Sequence, residues 1–253
     1  MGIWDSYQSR LDVRGANVRE VKANRKRQHL SQRIAKSLSY HPAIVDGAQQ
    51  ELAIINSDAL NQKTVCTMPG DSILCGAMVE WQGNHWLVTA VDANNELYTK
   101  GTMLQCNYLL KWITEDGEIV ERWCIVSDST KYLTGETVSR YNENGLVLGD
   151  TRISVTIARD EYTAKLGRRN RFLIDDPGSD MVLAYQLSKP FKVGSVYNGH
   201  GVLDFILTEV NSEDTDNTEL LIADYYKYFP RMGEPEEVKP GTQETVDGKR
   251  VWL

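Results

Sequence analysis

The sequence predicts a mainly β protein with a few helices (α+β), organised as two small antiparallel β-barrel or sandwich domains behind a basic N-terminal helical arm. Three observations lead to this prediction: two series of short β-type runs, the turn residues between those runs, and a strongly basic start. The predicted divisions are an arm at 1–42, a first β-barrel domain at 43–135, a second β domain at 150–228 and a C-terminal tail at 229–253.

The first series of runs is rich in Val, Ile, Tyr, Trp and Thr and is interrupted by short turns that contain Gly, Asn or Asp. Such a series is typical of an antiparallel meander, and a small barrel is its natural closure. In Val79-Glu80-Trp81 the apolar residues share one parity, which indicates one buried and one wet face. The predicted strands cover 43–45, 52–55, 77–81, 85–91, 96–99, 102–113 and 119–126, with a single helical turn at 58–60.

The second series has the same character and predicts a second compact β unit. Its predicted strands cover 152–157, 171–174, 181–187, 191–197 and 202–210. Between the first two, Asp160 to Gly167 is interpreted as a short helix that begins at an Asp160 cap and ends at Gly167. The segment 220–226 closes the unit as a helix or a strand, and a late hairpin is predicted at 246–252.

Composition sets the broad class. Hydrophobic content of 41% and charged content of 25% are ordinary for a globular chain of 253 residues. No window approaches the ~18 apolar residues of a membrane span, and the start lacks the features of a secretory signal, so we expect a soluble protein with no membrane partner. The cysteines form no C-x-x-C pair and are expected to be reduced, mostly buried thiols, which is consistent with folding in a reducing cytoplasm; they are Cys66, Cys75, Cys106 and Cys124.

The N-terminal arm is basic, whereas the remainder is acidic. Residues 1–40 contain nine Lys or Arg and three acidic residues, which leaves 19 basic and 32 acidic residues elsewhere. Apolar residues at three- and four-residue spacings near both ends of 17–38 predict an amphipathic helix that Pro42 ends. The candidate interaction residues of this helix are Arg25, Lys26, Arg27 and Arg33.

Several interpretations of the function of the arm remain open. A solvated basic face on a helix that caps a domain is the simplest of them. Alternatively, the arm docks onto an acidic partner, onto nucleic acid, or onto the acidic body of a neighbouring copy. A second basic cluster beside a predicted strand either faces phosphates in a channel or pairs with acidic neighbours; its members are Lys165 and the candidate interaction residues Arg168, Arg169 and Arg171.

No arrangement of residues predicts catalysis, a metal or a cofactor. Gly70-Asp71-Ser72-Ile73-Leu74 echoes the serine motif of GDSL-type esterases, but no histidine follows an aspartate by three residues and no alternating helices are predicted. The acidic stretch 214–219 lacks the glycine and final glutamate of a calcium loop, so a solvated acidic turn is expected. No phosphate-binding glycine loop occurs. We therefore expect a protein that is not an enzyme.

One order of barrel-strand residues resembles a known family. The order is Gly76, Val79 to Gly83, Trp86 to Thr89, Glu96 to Tyr98 and Gln105 to Trp112. It is similar to the small head-tail connector proteins, also called head-completion or stopper proteins, of tailed bacteriophages of Gram-positive hosts. The resemblance covers about residues 50–135, and 150–228 is loosely similar to β-rich virion proteins.

The resemblance implies a structural virion protein of the neck, assembled in the host cytoplasm. It implies a homo-oligomeric ring, dodecamer or hexamer, that contacts the portal protein above and a tail-side connector or tail-terminator protein below. Genomic DNA would pass through the channel without sequence recognition, and no enzymatic activity is implied. The alternatives are an adaptor or tail-terminator ring of the same virion, and a tail-associated carbohydrate- or wall-binding module suggested by the tryptophan-rich β domains. A GDSL-like esterase is the third alternative, and the Ser72→Ala substitution tests it.

Overall fold

The computed structural model describes Trp4 and residues 17–92, 96–129, 152–175, 181–193 and 195–230. Strands dominate these residues and helices are few, which confirms the predicted fold class. The predicted hairpin at 246–252 and most of the connection after the first series lie outside the described residues. Within the described ranges, no helix combines the length and apolar character that a membrane span needs.

Six antiparallel strands form a closed barrel in the order β1-β2-β3-β6-β5-β4. They are β1 (Tyr40–Val45), β2 (Ala48–Asn56), β3 (Gln62–Thr67), β4 (Met78–Trp81), β5 (Asn84–Asp92) and β6 (Lys100–Gln105). The hairpins β1–β2 and β4–β5 turn at Asp46-Gly47 and Gln82-Gly83, where all four residues have positive φ. Such two-residue turns match the twist of paired strands. The barrel interior is apolar, with Leu52, Val65, Val79, Val88 and Met103 at its centre.

The second sheet has the order β10-β11-β13-β9-β8-β7, and a short β12 pairs with β13. Its strands are β7 (Tyr108–Ile113), β8 (Ile119–Asp128), β9 (Arg152–Ala158), β10 (Arg171–Asp175), β11 (Val182–Phe191), β12 (Val196–Tyr197) and β13 (His200–Val210). The sheet curls until its two edges meet. There the Tyr108 hydroxyl donates to Asp175 Oδ1 at 2.9 Å, and the Trp112 ring packs edge-on against Phe172 at 6.3 Å.

The strands are divided between the sheets differently from the sequence-based division. The run 102–113, predicted as one strand, is two strands, and residues 108–128 of the predicted first domain belong to the second sheet. The change of sheet occurs between two consecutive residues, because the Cys106 amide donates to His85 of the barrel whereas the Asn107 amide donates to Cys124 of β8. The Asn107 side chain then pairs with both backbone groups of Val126, which holds the chain in the second sheet.

Two further expectations about the barrel, the strand at 96–99 and the helical turn at 58–60, are wrong. The barrel position next to β2 is taken by β3, for which no strand was predicted. Thr67 at the end of β3 holds the segment 96–99 in place, although the segment forms no strand. Its hydroxyl accepts the Thr99 amide at 2.9 Å and its own amide donates to the Thr99 carbonyl, so 98–99 run beside β3 without a ladder. The segment 58–60 forms bends and a turn, with no helix.

The barrel and the second sheet share a packed junction. Leu87 and Cys106 on the barrel side form one apolar cluster with Val202 of β13. The His85 ring stacks on Trp123 of β8 at 4.3 Å between ring centres. Gly76 has a φ of +89°, and a Cβ there would overlap the carbonyl oxygen of Gly201, so the two backbones touch. Both the positive φ and the close approach of Gly201 therefore require glycine at position 76.

The predicted N-terminal helix is present as α1 (Val18–Ala35), which begins at an Asn17 cap whose side chain accepts the Glu20 amide. It ends seven residues before Pro42, which lies inside β1, so the prediction that Pro42 ends it is wrong. The strand pairing of β1 with β2 explains this, because it starts at Tyr40 and takes Pro42 into the barrel. No residue of α1 is buried.

The other predicted helical segments are short. The predicted cap at Asp160 is present: its Oδ1 accepts the amides of Tyr162 and Thr163, and a 3-10 turn follows at Thr163–Lys165. The segment 220–226, predicted as a helix or strand, consists mainly of turns that lead into the single helical turn α2 (Tyr225–Tyr228). The predicted strand at 191–197 is divided between the end of β11 and the short β12.

Candidate interaction surfaces

Helix α1 is the first candidate surface, because it has the highest density of basic side chains among the described elements. It carries six Lys or Arg and one acidic residue, Glu20. Its half-buried positions are 21, 23, 24, 27, 30, 31 and 34, and most of them recur every three or four residues, which defines the stripe that faces the body. Arg25, Lys26 and Arg33 are exposed and lie off this stripe, as expected of interaction residues.

Arg27 differs from its predicted neighbours. It lies on the half-buried stripe, where its guanidinium donates to Asn24 Oδ1 at 3.0 Å and to the Glu96 carbonyl at 3.3 Å. A second arginine reaches the same residue, because Arg19 Nη2 lies 2.6 Å from Glu96 Oε1. Arg19 and Glu96 were not predicted as a contact, since 77 positions separate them and no local pattern connects them.

The second predicted basic cluster separates into two environments. Arg168 and Arg169 are exposed on the turn before β10, so they remain candidate interaction residues. Lys165 is exposed beside them, with its Nζ 6.0 Å from the centre of the Tyr162 ring. Arg171 is buried and so is not exposed to a partner, and the alternative that this cluster pairs with acidic neighbours holds for it.

Arg171 instead forms the centre of an ionic clasp. Its guanidinium donates to both carboxylate oxygens of Asp216 at 2.9 and 2.8 Å, to Asp224 Oδ1 at 2.9 Å and to the Asn211 carbonyl at 3.1 Å. These donors and acceptors join the start of β10 to the acidic segment after β13. The acidic stretch 214–219, expected as a solvated turn, therefore supplies a buried partner in Asp216.

The electrostatics of the clasp favour the ionised state of its carboxylates. Burial acts to raise the pKa of Asp224, but hydrogen bonding to Lys227 and the charges of Lys227 and Arg171 outweigh it and lower the pKa below its ordinary value. Lys227 Nζ lies 2.7 Å from Asp224 Oδ1 and 3.4 Å from Glu213 Oε2. The clasp is thus a structural network in which each buried charge has a partner.

A groove of about 620 Å³ lies on the barrel beside the β1–β4 closure. Trp81, Ile44 and Glu80 line it, together with amide side chains that include Gln49. The Trp81 ring is only partly exposed, at 5.2 Å from the His41 ring and 6.0 Å from the Trp86 ring. The groove therefore offers a partly exposed Trp81 ring flanked by polar groups.

The four cysteine thiols are harder to ionise than a free thiol. Burial raises the pKa of Cys106 to about 12, and burial together with the nearby Cys106 raises that of Cys124 to about 12. Burial also raises the pKa of Cys66 and of Cys75. Ser72 of the GDSL-like motif is exposed, and within the described residues no hydrogen bond connects its hydroxyl to a histidine. No group of three or more His, Cys, Asp or Glu in the described residues is arranged to hold a metal ion.

Comparison with known proteins adds no identification. No family model, no curated protein and no solved structure matches this chain. The geometry of the described residues therefore supplies the arguments for function.

Proposed function

We propose that this chain is a structural virion protein that forms a ring at the phage head-tail junction below the portal, closing the head and joining it to the tail. The observation that carries the proposal is a basic helix without a buried residue on a body that is mainly acidic. Two oppositely charged surfaces in different places suit a head-to-tail contact, in which each copy binds the next through a different patch and the rotation closes a ring.

The β body supports the same proposal. The barrel and the second sheet pack against each other through Leu87, Cys106 and Val202, which favours one rigid block in each subunit. A ring that bears the pressure of a closed head benefits from rigid subunits joined by adjustable contacts. A non-catalytic role also agrees with the raised thiol pKa values and the isolated Ser72.

Within this proposal, the exposed basic side chains have two uses. Arg25, Lys26 and Arg33 on α1 face acidic surfaces of neighbouring subunits or of the portal. Arg168 and Arg169 offer charge to DNA phosphates in the channel, without base recognition. The portal lies above the ring and a tail-side connector or tail terminator lies below it. An adaptor or tail-terminator ring in the same virion differs only in these neighbours.

Light scattering on the purified protein, with and without the portal ring of the same phage, tests the proposal at low and moderate salt. We expect a defined multiple of the 28.6 kDa chain on the portal, and weaker association as salt rises and screens the basic helix. A persistent monomer that ignores the portal would contradict the proposal. Binding to tail tubes in place of the portal would favour the adaptor or terminator position.

A carbohydrate-binding module is the second candidate, and the groove beside Trp81 is the observation that favours it. Sugars bind to aromatic faces flanked by amide and carboxylate groups, and Gln49 and Glu80 supply such groups here. The test is titration with cell-wall polysaccharide of a Gram-positive host, followed by tryptophan fluorescence. Binding that Trp81→Ala abolishes would support this candidate, and unchanged fluorescence at saturating polysaccharide would remove it.

A further inference from the structure

We infer that α1 is exchanged between neighbouring copies, so that the helix of one subunit binds the Glu96 segment of the next. The inference rests on the proposed ring and identifies the contact that joins its subunits. The Glu96 segment is defined here as residues 96–99, which follow β5 and run beside the end of β3. In the proposed ring, the Glu96 segment of each subunit binds α1 of a second copy of the chain.

In the part of the chain that the structure describes, two arginines of α1 hydrogen-bond to the body at Glu96. Arg19 reaches the Glu96 carboxylate at 2.6 Å, and Arg27 reaches the Glu96 carbonyl at 3.3 Å. Both side chains of the Arg19–Glu96 pair are largely exposed to water, where an ion pair contributes little. Since no residue of α1 is buried, moving the helix away from its own barrel disrupts no packed core.

The connection between α1 and β1 permits such a move. It comprises only residues 36–39, and it holds a turn in which the Tyr40 amide donates to the Ser37 carbonyl. Leu38 in this connection is 98% exposed, so the segment has no apolar anchor on the barrel. The Ile54 amide of β2 donates to the Ser39 carbonyl at 2.7 Å, so the exposed hinge is confined to residues 36–38. A rigid helix on such a hinge exchanges between copies at low cost, because the same contact re-forms on the partner.

Exchange within a ring competes with the contact within one chain. The neighbouring Glu96 segment is held close by the assembly, so its effective concentration is high. The six basic residues of α1, against one acidic residue, then lie on a mainly acidic neighbour, as they do on their own body within one chain.

Crosslinking of mixed single-cysteine chains tests the inference. Arg19→Cys protein and Glu96→Cys protein are mixed, assembled and treated with a short bismaleimide. A 19–96 product then requires two chains, so exchange predicts a band at twice the 28.6 kDa chain mass. Arg33→Cys replaces Arg19→Cys as the matched control, because Arg33 is exposed on the same helix but has no contact with Glu96 in the structure. All chains carry Cys75→Ser, which removes the half-buried native thiol.

A chain that carries both Arg19→Cys and Glu96→Cys shows whether only the exchange of α1 fails or the proposed ring fails as well. Exchange predicts crosslinked ladders that extend to the full ring, with little product at the mass of one chain. A ring by light scattering that gives only intrachain product would overturn the exchange and leave the proposed function standing. A monomer that gives only intrachain product would overturn both, and a ring that gives no 19–96 product at all would also overturn the exchange.

Charge reversal gives a second readout that involves no thiols. Arg19→Glu and Glu96→Arg each place like charges at the contact, so each chain alone is expected to assemble less well. If the helix is exchanged, an equimolar mixture regains assembly, because each mutant subunit then meets a complementary neighbour. If the helix stays on its own barrel, every chain keeps its like-charge pair and mixing restores nothing. Lys22→Glu, at an exposed helix position that has no contact to Glu96 and is not one of the proposed interaction residues, is the control in the same mixtures.

Discussion

Two arginine-carboxylate contacts in this protein have similar lengths but opposite solvent exposure. Arg19 and Glu96 meet at 2.6 Å with side chains 81% and 70% exposed, whereas Arg171 and Asp216 meet at 2.8 Å with side chains 7% and 1% exposed. Water competes for the first pair and is excluded from the second. The distance alone therefore does not indicate what a contact does. The exposed pair is free to exchange partners, and the buried pair holds two segments of one chain together.

Removal of Arg171 is expected to have the largest effect. Arg171→Ala leaves Asp216 buried without its cation, which costs about 3–5 kcal/mol in the free energy of unfolding. Arg168→Ala, on the exposed turn three residues before, is the matched control and is expected to change stability by less than about 0.5 kcal/mol. Urea denaturation followed by fluorescence measures both. Equal losses in the two variants would show that the clasp does not stabilise the fold.

The junction between the two β units is expected to be the next most sensitive place. Gly76→Ala brings a Cβ into the Gly201 carbonyl and forces an unfavourable φ, so we expect a loss of about 1–3 kcal/mol beyond that of Gly83→Ala. Gly83 is the matched control because its φ is also positive but its surroundings are open. Thermal unfolding of both variants measures the difference. Identical melting curves would contradict the close approach.

The pH dependence of the clasp is expected to follow Asp224. Its folded-state pKa is lowered, so it contributes stability above its unfolded pKa of about 3.9 and loses this contribution as pH falls through the lower folded value. Asp224→Asn removes the titrating group, and asparagine accepts the left-handed backbone found there. The measurement is denaturant unfolding from pH 5 downwards. A variant that loses stability as steeply as the natural chain would exclude Asp224 as the cause.

The exposed pair is expected to contribute least to folding. Arg19→Glu should change the free energy of unfolding of one chain by less than about 0.5 kcal/mol, because solvent screens the contact. Denaturation at a concentration where the chain is monomeric measures this value, with Arg33→Glu on the same helix as the control. A loss comparable to that of Arg171→Ala would mean that α1 is part of the folded core. The comparison between the two arginines would then no longer hold.

Much of the secondary structure could be predicted because its causes are local. Asp160 caps the turn that it was expected to cap, and α1 begins within one residue of the predicted start. No strand was predicted at β3 because its first three residues, Gln62, Lys63 and Thr64, are polar, although all three pair with β6. Its last three residues, Val65 to Thr67, are buried and were the available signal.

The candidate surfaces were predicted less completely, since basic side chains look alike in a sequence. Arg25, Lys26 and Arg33 are exposed as expected, while Arg171 is buried by an acidic segment about 45 positions away. Of the three arginines, Arg171 alone lies in a predicted strand, but no local pattern identifies the acidic residues that bury it. The difference lies in the fold of the segment after β13, which brings Asp216 and Asp224 to one guanidinium.

The amino-acid sequence by itself determined the β character, the basic helix and the tight turns, because alternation, caps and glycine conformations act over a few residues. Only the tertiary structure decided that the chain changes sheets between Cys106 and Asn107, that Gly76 touches Gly201, and that Glu96 receives Arg19. The physical reason is that each of these choices depends on which distant backbone or charge lies opposite. Such partners are set by packing, and local propensity contains no information about them.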